Sequence, residues 1–175
     1  MSIQTARNQA VLLAKRFHCD TPPIDVDSIA CELGLAVIRT NLGADVSGML
    51  ITNKGASFVC VNERHHEVRK RFTIAHEIGH HVLGHQFEQG DHVLIDRGNF
   101  ISQRGPRAST GMDPKEIEAN QFAAALLMPA ALIRSEVSKI AGKQPLLDSH
   151  VASLAELFKV SEQAMTIRLT TLGLL

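Results

Sequence analysis

Tryptophan and tyrosine are both missing from this 175-residue chain, which has seven phenylalanines as its only large aromatic residues. So few flat rings argue against a surface that holds single-stranded nucleic acid by stacking on its bases. The lack of tyrosine also removes a common donor to a developing oxyanion. Cysteine is scarce and odd in number: Cys19, Cys31 and Cys60 show no C-x-x-C spacing. That set provides neither a disulfide framework nor a thiolate-rich zinc site, and it fits a reducing cytoplasm. Charge of either sign is not in excess, with 18 Lys plus Arg against 18 Asp plus Glu, so no bulk field attracts nucleic acid or acidic lipid. The longest apolar run, Phe122 to Ile133, is too short to cross a bilayer and is interrupted by Pro129. The segment Met1 to Phe17 is amphipathic, broken by Arg7, Lys15 and Arg16, and lacks the unbroken core of a signal peptide. Repeats and low-complexity tracts are absent. One cytoplasmic domain spanning 1–175, with no membrane partner, is the expectation, and that length buries a core without staples.

What the chain does contain is concentrated in Arg71-Phe-Thr-Ile-Ala-His-Glu-Ile-Gly-His80, which includes His-Glu-x-x-His. Residues four apart on an α-helix lie about 40° apart around its axis, so His76 and His80 share a face and can bind one metal ion. Glu77 follows the first of them, where it can reach a water on that ion without ligating it. This is the pattern of a zinc hydrolase. Chance alone would produce such a match in roughly 3% of chains of this composition, so context matters. Ala75, Ile78 and Val82 supply a helical core stripe beside the ligand face. Gly79, unfavourable inside a helix, would let backbone or substrate come close to the metal.

Catalytic zinc takes three protein ligands. His85 lies nine positions after His76, on the opposite side of a continuous helix, and His81 is about 140° from His76. Both are read as solvent-facing or structural. Six residues past His80, where one class of zinc proteases carries a third histidine, the chain has Gln86. The stronger candidate is Asp113-Pro-Lys-Glu-Ile-Glu-Ala-Asn-Gln-Phe-Ala-Ala-Ala-Leu-Leu-Met-Pro129, a helix with an N-cap at Asp113, proline at its first position and proline as its stop. Glu116 and Asn120 share a face there. Glu116 is assigned to the metal and Asn120 to orienting a ligating histidine. Glu118, roughly 160° from Asn120, is the fallback ligand and otherwise a solvated first-turn carboxylate.

Those two segments together make the chain similar to the ImmA/IrrE family of zinc metallopeptidases. The similarity extends upstream to Ile24-Asp-Val-Asp-Ser-Ile-Ala-Cys-Glu-Leu-Gly-Leu-Ala-Val37 and Ser47-Gly-Met-Leu50. Downstream it takes in Leu154-Ala-Glu-Leu-Phe-Lys-Val-Ser161 and Arg168-Leu-Thr-Thr-Leu-Gly173. The resemblance implies a gluzincin-like, cytoplasmic peptidase with His76, His80 and Glu116 as zinc ligands and Glu77 as catalytic base. It further implies that the substrate is a helix-turn-helix repressor or antitoxin, cleaved to release transcription in a stress, phage or mobile-element response. Mn²⁺ can occupy a similar His/carboxylate site.

Periodicity and turn signals give an α+β fold, a small and mostly antiparallel sheet packed on helices. Helices and sheet occupy 1–62, the metal-site helices 63–129 and a helical region 130–175. Helices are expected near 3–17, 27–33 (stopped by Gly34), 65–84 and 113–128. Strands are expected at 35–39, 47–52 and 57–62, with a hairpin turn at Asn53-Lys-Gly-Ala56 and a short β-like piece at 92–96. The connection 86–112 is long enough to suggest a border of the cleft. Cys60 reads as a small core residue rather than a thiol that caps the metal. A substrate strand added to the edge at 57–62 would place side chains in pockets.

Two basic clusters, Arg64, Arg69, Lys70 and Arg71, then Arg97, Arg104 and Arg107, suggest single-stranded DNA as an activator, set against their reading as solvated or paired surface charges. His92, Arg97, Arg104 and Arg107 are the candidates for an oxyanion donor. The C-terminal pair of amphipathic helices, Val151 to Phe158 and Glu162 to Leu172 with Ser161 as N-cap, raises a competing class: a non-catalytic regulator-binding or DNA-sensing module on the same fold. Its second helix offers only Arg168, where readers of DNA need several phosphate and base contacts.

Overall fold

The computed structural model describes residues 2–53, 56–85, 92–96, 113–142 and 144–175. Arg97, Arg104 and Arg107 lie outside these, as do most of the 86–112 connection and the side chain of His92.

Helix α1 (Ile3–Arg16) begins where Ser2 Oγ accepts from the Thr5 N–H, and it buries Ala6, Ala10, Leu13 and Ala14 at helical spacing. Asp25 caps α2 (Val26–Glu32), and Gly34, at φ +76°, turns the chain out of it into β1 (Leu35–Thr40). A hairpin of β2 (Gly48–Asn53) and β3 (Ala56–Asn62) follows, with Asn53 opposite Ala56, and β4 (His92–Asp96) completes a four-stranded sheet. The strand order is β1-β3-β2-β4. β2 pairs antiparallel with both neighbours, while β1 runs parallel to β3. The sheet is therefore mixed, though mostly antiparallel, and the fold is α+β as expected.

One expectation is corrected by this order. The segment 57–62 belongs to an interior strand, hydrogen-bonded to β1 on one side and β2 on the other. Its backbone has no edge left for an added substrate strand. Four consecutive residues, Val59 to Asn62, are buried, as a strand covered on both faces should be. Among the described residues the free edges belong to β1 and β4.

Helix α3 (Glu67–Val82) crosses β2 and β3, and α4 (Pro114–Leu127) lies between α3 and α1. Asp113 caps α4 with its carboxylate on the Lys115 N–H, and Pro114 takes the first turn. Phe122 and Leu126 are fully buried in this layer, each contributing about 1.5–3 kcal/mol of burial free energy. Helices α5 (Ala130–Ala141), α6 (Asp148–Phe158) and α7 (Glu162–Thr171) fill the C-terminal region, and Ser161 Oγ caps α7 on the Ala164 N–H. Arg168 on α7 is buried and its Nε donates to the Met128 carbonyl at the end of α4. Burial first, then repulsion from Arg7, lowers its pKa to about 10. The single basic side chain that a DNA-reading helix could have used is thus spent on fastening the hairpin to α4.

Candidate metal centre

Helices α3 and α4 meet at a glycine. A Cβ on Gly79 would stand 3.1 Å from Phe122 Cδ1 and 3.3 Å from both the Cα and the carbonyl oxygen of Ala119. The close approach anticipated at Gly79 is therefore that of the α4 backbone. Gly79 precedes His80 and follows His76 by three residues; Ala119 is flanked in the same way by Glu116 and Asn120. Contact at these two small residues brings the polar side chains of both helices together.

They converge on one point. His76 Nε2 and His80 Nε2 are 2.9 Å apart, and Glu116 places Oε2 3.2 Å from the first and Oε1 3.3 Å from the second. Three potential ligand atoms thus lie within 4.8 Å of one another. Both histidines are fully buried, whereas the Glu116 side chain is 28% exposed, so the cluster opens toward solvent on that side. Burial, the largest cause, depresses His80 to about 4. Burial would raise Glu116, but the neighbouring His76 and His80 outweigh it and hold the carboxyl well below its usual range. At neutral pH His80 is therefore a neutral imidazole and Glu116 a carboxylate.

The outer nitrogens decide whether that set suits a metal. Asn120 Oδ1 lies 2.9 Å from His76 Nδ1. A carbonyl oxygen only accepts, so Nδ1 carries a proton, and the neutral ring keeps its lone pair on Nε2. Behind His80 there is a longer chain: its Nδ1 is 2.9 Å from His85 Nδ1, and His85 Nε2 is 3.1 Å from Glu118 Oε2. The Glu118 carboxylate accepts from His85 Nε2–H. With Glu118 accepting from Nε2–H, His85 Nδ1 is placed to accept from His80 Nδ1–H. Both Nε2 lone pairs consequently face each other and a carboxylate, a repulsive arrangement that a cation relieves. Atoms around one tetrahedral zinc stand about 3.3 Å apart for bonds of about 2.0–2.1 Å, close to the spacings found. The residues fit a divalent metal of zinc's type.

Sequence reasoning anticipated His76, His80, Glu116 and Asn120 in this grouping, and the structure brings them together. Glu118 lies elsewhere. It is 4% exposed rather than solvated, and it faces His85 rather than the cluster. His85 is not across a continuous helix from the site, because α3 ends at Val82. Gly84, at φ +64°, reverses the chain; its N–H bonds to the His81 carbonyl and the His85 N–H to the His80 carbonyl. This is a Schellman stop, and the glycine after a helical run was its signal. His81 is exposed, as expected.

Glu77 is fully buried on α3, beside β2. A Cβ at Gly48 would overlap the Thr73 methyl and come within 3.6 Å of Glu77 Oε1. Gly48 is thus the second small residue the site requires. Cys60 is buried in β3, its thiol pushed up by burial and by the nearby Glu77 carboxylate, and the ligand cluster among the described residues contains no cysteine. The first basic cluster is largely engaged: Arg71 is buried with Nη2 on the Ile24 carbonyl, Arg69 donates to Ser47 Oγ, and Lys70 pairs with Glu67, leaving Arg64 exposed. Beyond Asn120 a groove of about 460 Å³ runs between α4 and α7, walled in part by Phe72, Met128 and Ile167. No helix among the described residues is long and apolar enough to cross a membrane.

No curated protein matches the chain closely enough to count as a relative. The model of the IrrE N-terminal-like domain, peptidase family M78, matches residues 30–170, which takes in every residue of the cluster and both helices that carry it. The chain belongs to this metallopeptidase-type family.

Proposed function

We propose that the protein is a zinc-dependent, site-specific endopeptidase, with His76, His80 and Glu116 as metal ligands and Glu77 as general base. The observation that carries this reading is the convergence of His76 Nε2, His80 Nε2 and the Glu116 carboxylate on one point, with the buried Glu77 next in sequence to the first ligand. Zinc held there would polarise the scissile carbonyl and bring the pKa of a water toward about 7. Glu77 takes the water proton on a carboxylate oxygen and passes it to the leaving amine. Asn120 keeps the His76 imidazole in the ligating tautomer. Mn²⁺ is compatible with the same donors.

As substrate we propose a helix-turn-helix repressor or antitoxin, with single-stranded DNA as activator and the cytoplasm as compartment; all three rest on the family resemblance. The burial of Arg168 weighs against the alternative of a DNA-sensing module built on α6 and α7. The test is incubation of the helix-turn-helix regulator encoded beside this gene with zinc-loaded wild type and Glu77→Gln, with and without single-stranded DNA, read by mass spectrometry. Discrete fragments with wild type alone are expected. Stable capture of the regulator without cleavage, zinc being bound, would replace the peptidase with a binding module.

A further inference from the structure

The Glu118–His85 pair performs no step of the proposed reaction, yet among the described residues it is one of the few titratable pairs that is buried. The side chains are 5% and 6% exposed, and sequestering a carboxylate next to an imidazole costs free energy unless each is matched to a partner. Three contacts link them to the cluster: Glu118 Oε2 to His85 Nε2, His85 Nδ1 to His80 Nδ1, and His80 Nε2 to His76 Nε2. His85 reaches His80 at the nitrogen opposite the ligating one, so it is no fourth ligand.

The backbone fixes the same pair of residues. The Schellman stop at Gly84 joins the His85 N–H to the His80 carbonyl at 3.0 Å, while the side chains meet at 2.9 Å. His85 is therefore held to His80 at two points, and Glu118 reaches it from α4, two residues beyond Glu116. The two histidines have different supports. His76 leans on a neutral amide, whereas His80 leans on an imidazole that is itself backed by a carboxylate.

Resting on the metallopeptidase reading, we propose that Glu118 and His85 are positioning residues that fix His80 in its Nδ1–H tautomer and so present Nε2 as a ligand. With His85 unable to accept, His80 is free to carry its proton on Nε2, and that form must lose or move the proton before it can bind a metal. The relay also gives the imidazole–carboxylate backing that makes a ligating nitrogen more basic.

His85→Leu keeps bulk and removes the acceptor, whereas His85→Asn restores an amide oxygen close to where Nδ1 stands. Zinc affinity, measured by competition with a chromophoric chelator, is expected to fall by about 10–100-fold in His85→Leu and to recover to within about threefold of wild type in His85→Asn. Long-range ¹H–¹⁵N correlation on zinc-free, histidine-labelled protein should show His80 protonated on Nδ1 in wild type and His85→Asn. In His85→Leu the Nε2–H form should gain population. Equal affinities in all three proteins, an asparagine variant as weak as the leucine one while both are folded, or wild-type His80 protonated on Nε2 would each overturn the proposal. Failure of wild type to bind zinc would sink the metallopeptidase reading instead, and the tautomer measurement would still decide the relay.

Discussion

Replacing Gly79 by alanine sets two magnitudes against each other at the crossing of α3 and α4. In an exposed helix interior the change would stabilise by about 1 kcal/mol, because alanine restricts the unfolded chain and suits the helix. Here the added methyl meets Phe122 Cδ1 at 3.1 Å and the Ala119 Cα and oxygen at 3.3 Å. The phenyl ring can tilt, but the Ala119 backbone cannot move without α4, and a few tenths of an ångström are needed. Overpacking of this kind costs about 1–3 kcal/mol, so the net effect ranges from nearly neutral to a loss of about 2. At about 2–4 °C per kcal/mol for a domain of this size, the metal-free melting temperature is expected to fall by up to about 8 °C. Function should suffer more than stability. Glu116 and Asn120 lie one turn apart on the displaced helix, and metal sites tolerate only about 0.2 Å in bond length. Zinc affinity should drop at least about tenfold, in line with losses from disturbed ligand support. Calorimetry paired with chelator competition reads both quantities. A Gly79→Ala protein that melts higher than wild type and binds zinc equally well would refute the argument that this glycine serves close approach.

Acidification of the metal-free protein should destabilise it. His80 titrates near 4 in the folded state against an ordinary 6.5, so the unfolded chain binds more protons between those values and stability falls as pH drops through that window, by up to about 3 kcal/mol. Glu116, depressed in the fold, acts with the same sign below its ordinary value of 4.5. Urea titrations at pH 7 and pH 4.5 measure the loss, and equal midpoints would contradict the burial of neutral His80. Arg168→Met removes the charged donor from the Met128 carbonyl and should cost about 2 kcal/mol while leaving retention on single-stranded DNA unchanged; a loss of DNA retention would return this side chain to the solvent face.

The candidate ligand set was legible because helical geometry is periodic: i and i+4 share a face whatever the surroundings, which placed His76 with His80 and Glu116 with Asn120. Cap chemistry was as transparent, since Asp113, Ser161 and Gly34 act within one turn of themselves. Strand order was not. Pairing joins residues distant in sequence, and nothing in 57–62 distinguishes a strand with two neighbours from one with a free edge except its near-continuous apolar run, Phe58-Val-Cys-Val61. His85 was misplaced for a local reason, the extension of a 3.6-residue count past Gly84. Glu118 was read as solvated because a buried carboxylate is expected only with a partner, and its partner arrived by that same turn.

Helix α1 lies outside the stretch by which the family is recognised, which begins within α2 at residue 30. Yet α1 forms one whole flank of α4, and Arg7 clasps Gln121 Oε1 through Nε and Nη2 at 3.0 and 2.8 Å, one residue from Asn120. A chain trimmed to the recognisable stretch would leave the helix that carries Glu116 supported from one side only, its apolar seam with Ala6, Ala10 and Leu13 open to water. Kinship and foldability draw different borders on this molecule, and it is the wider one that the proposed metal ligands need.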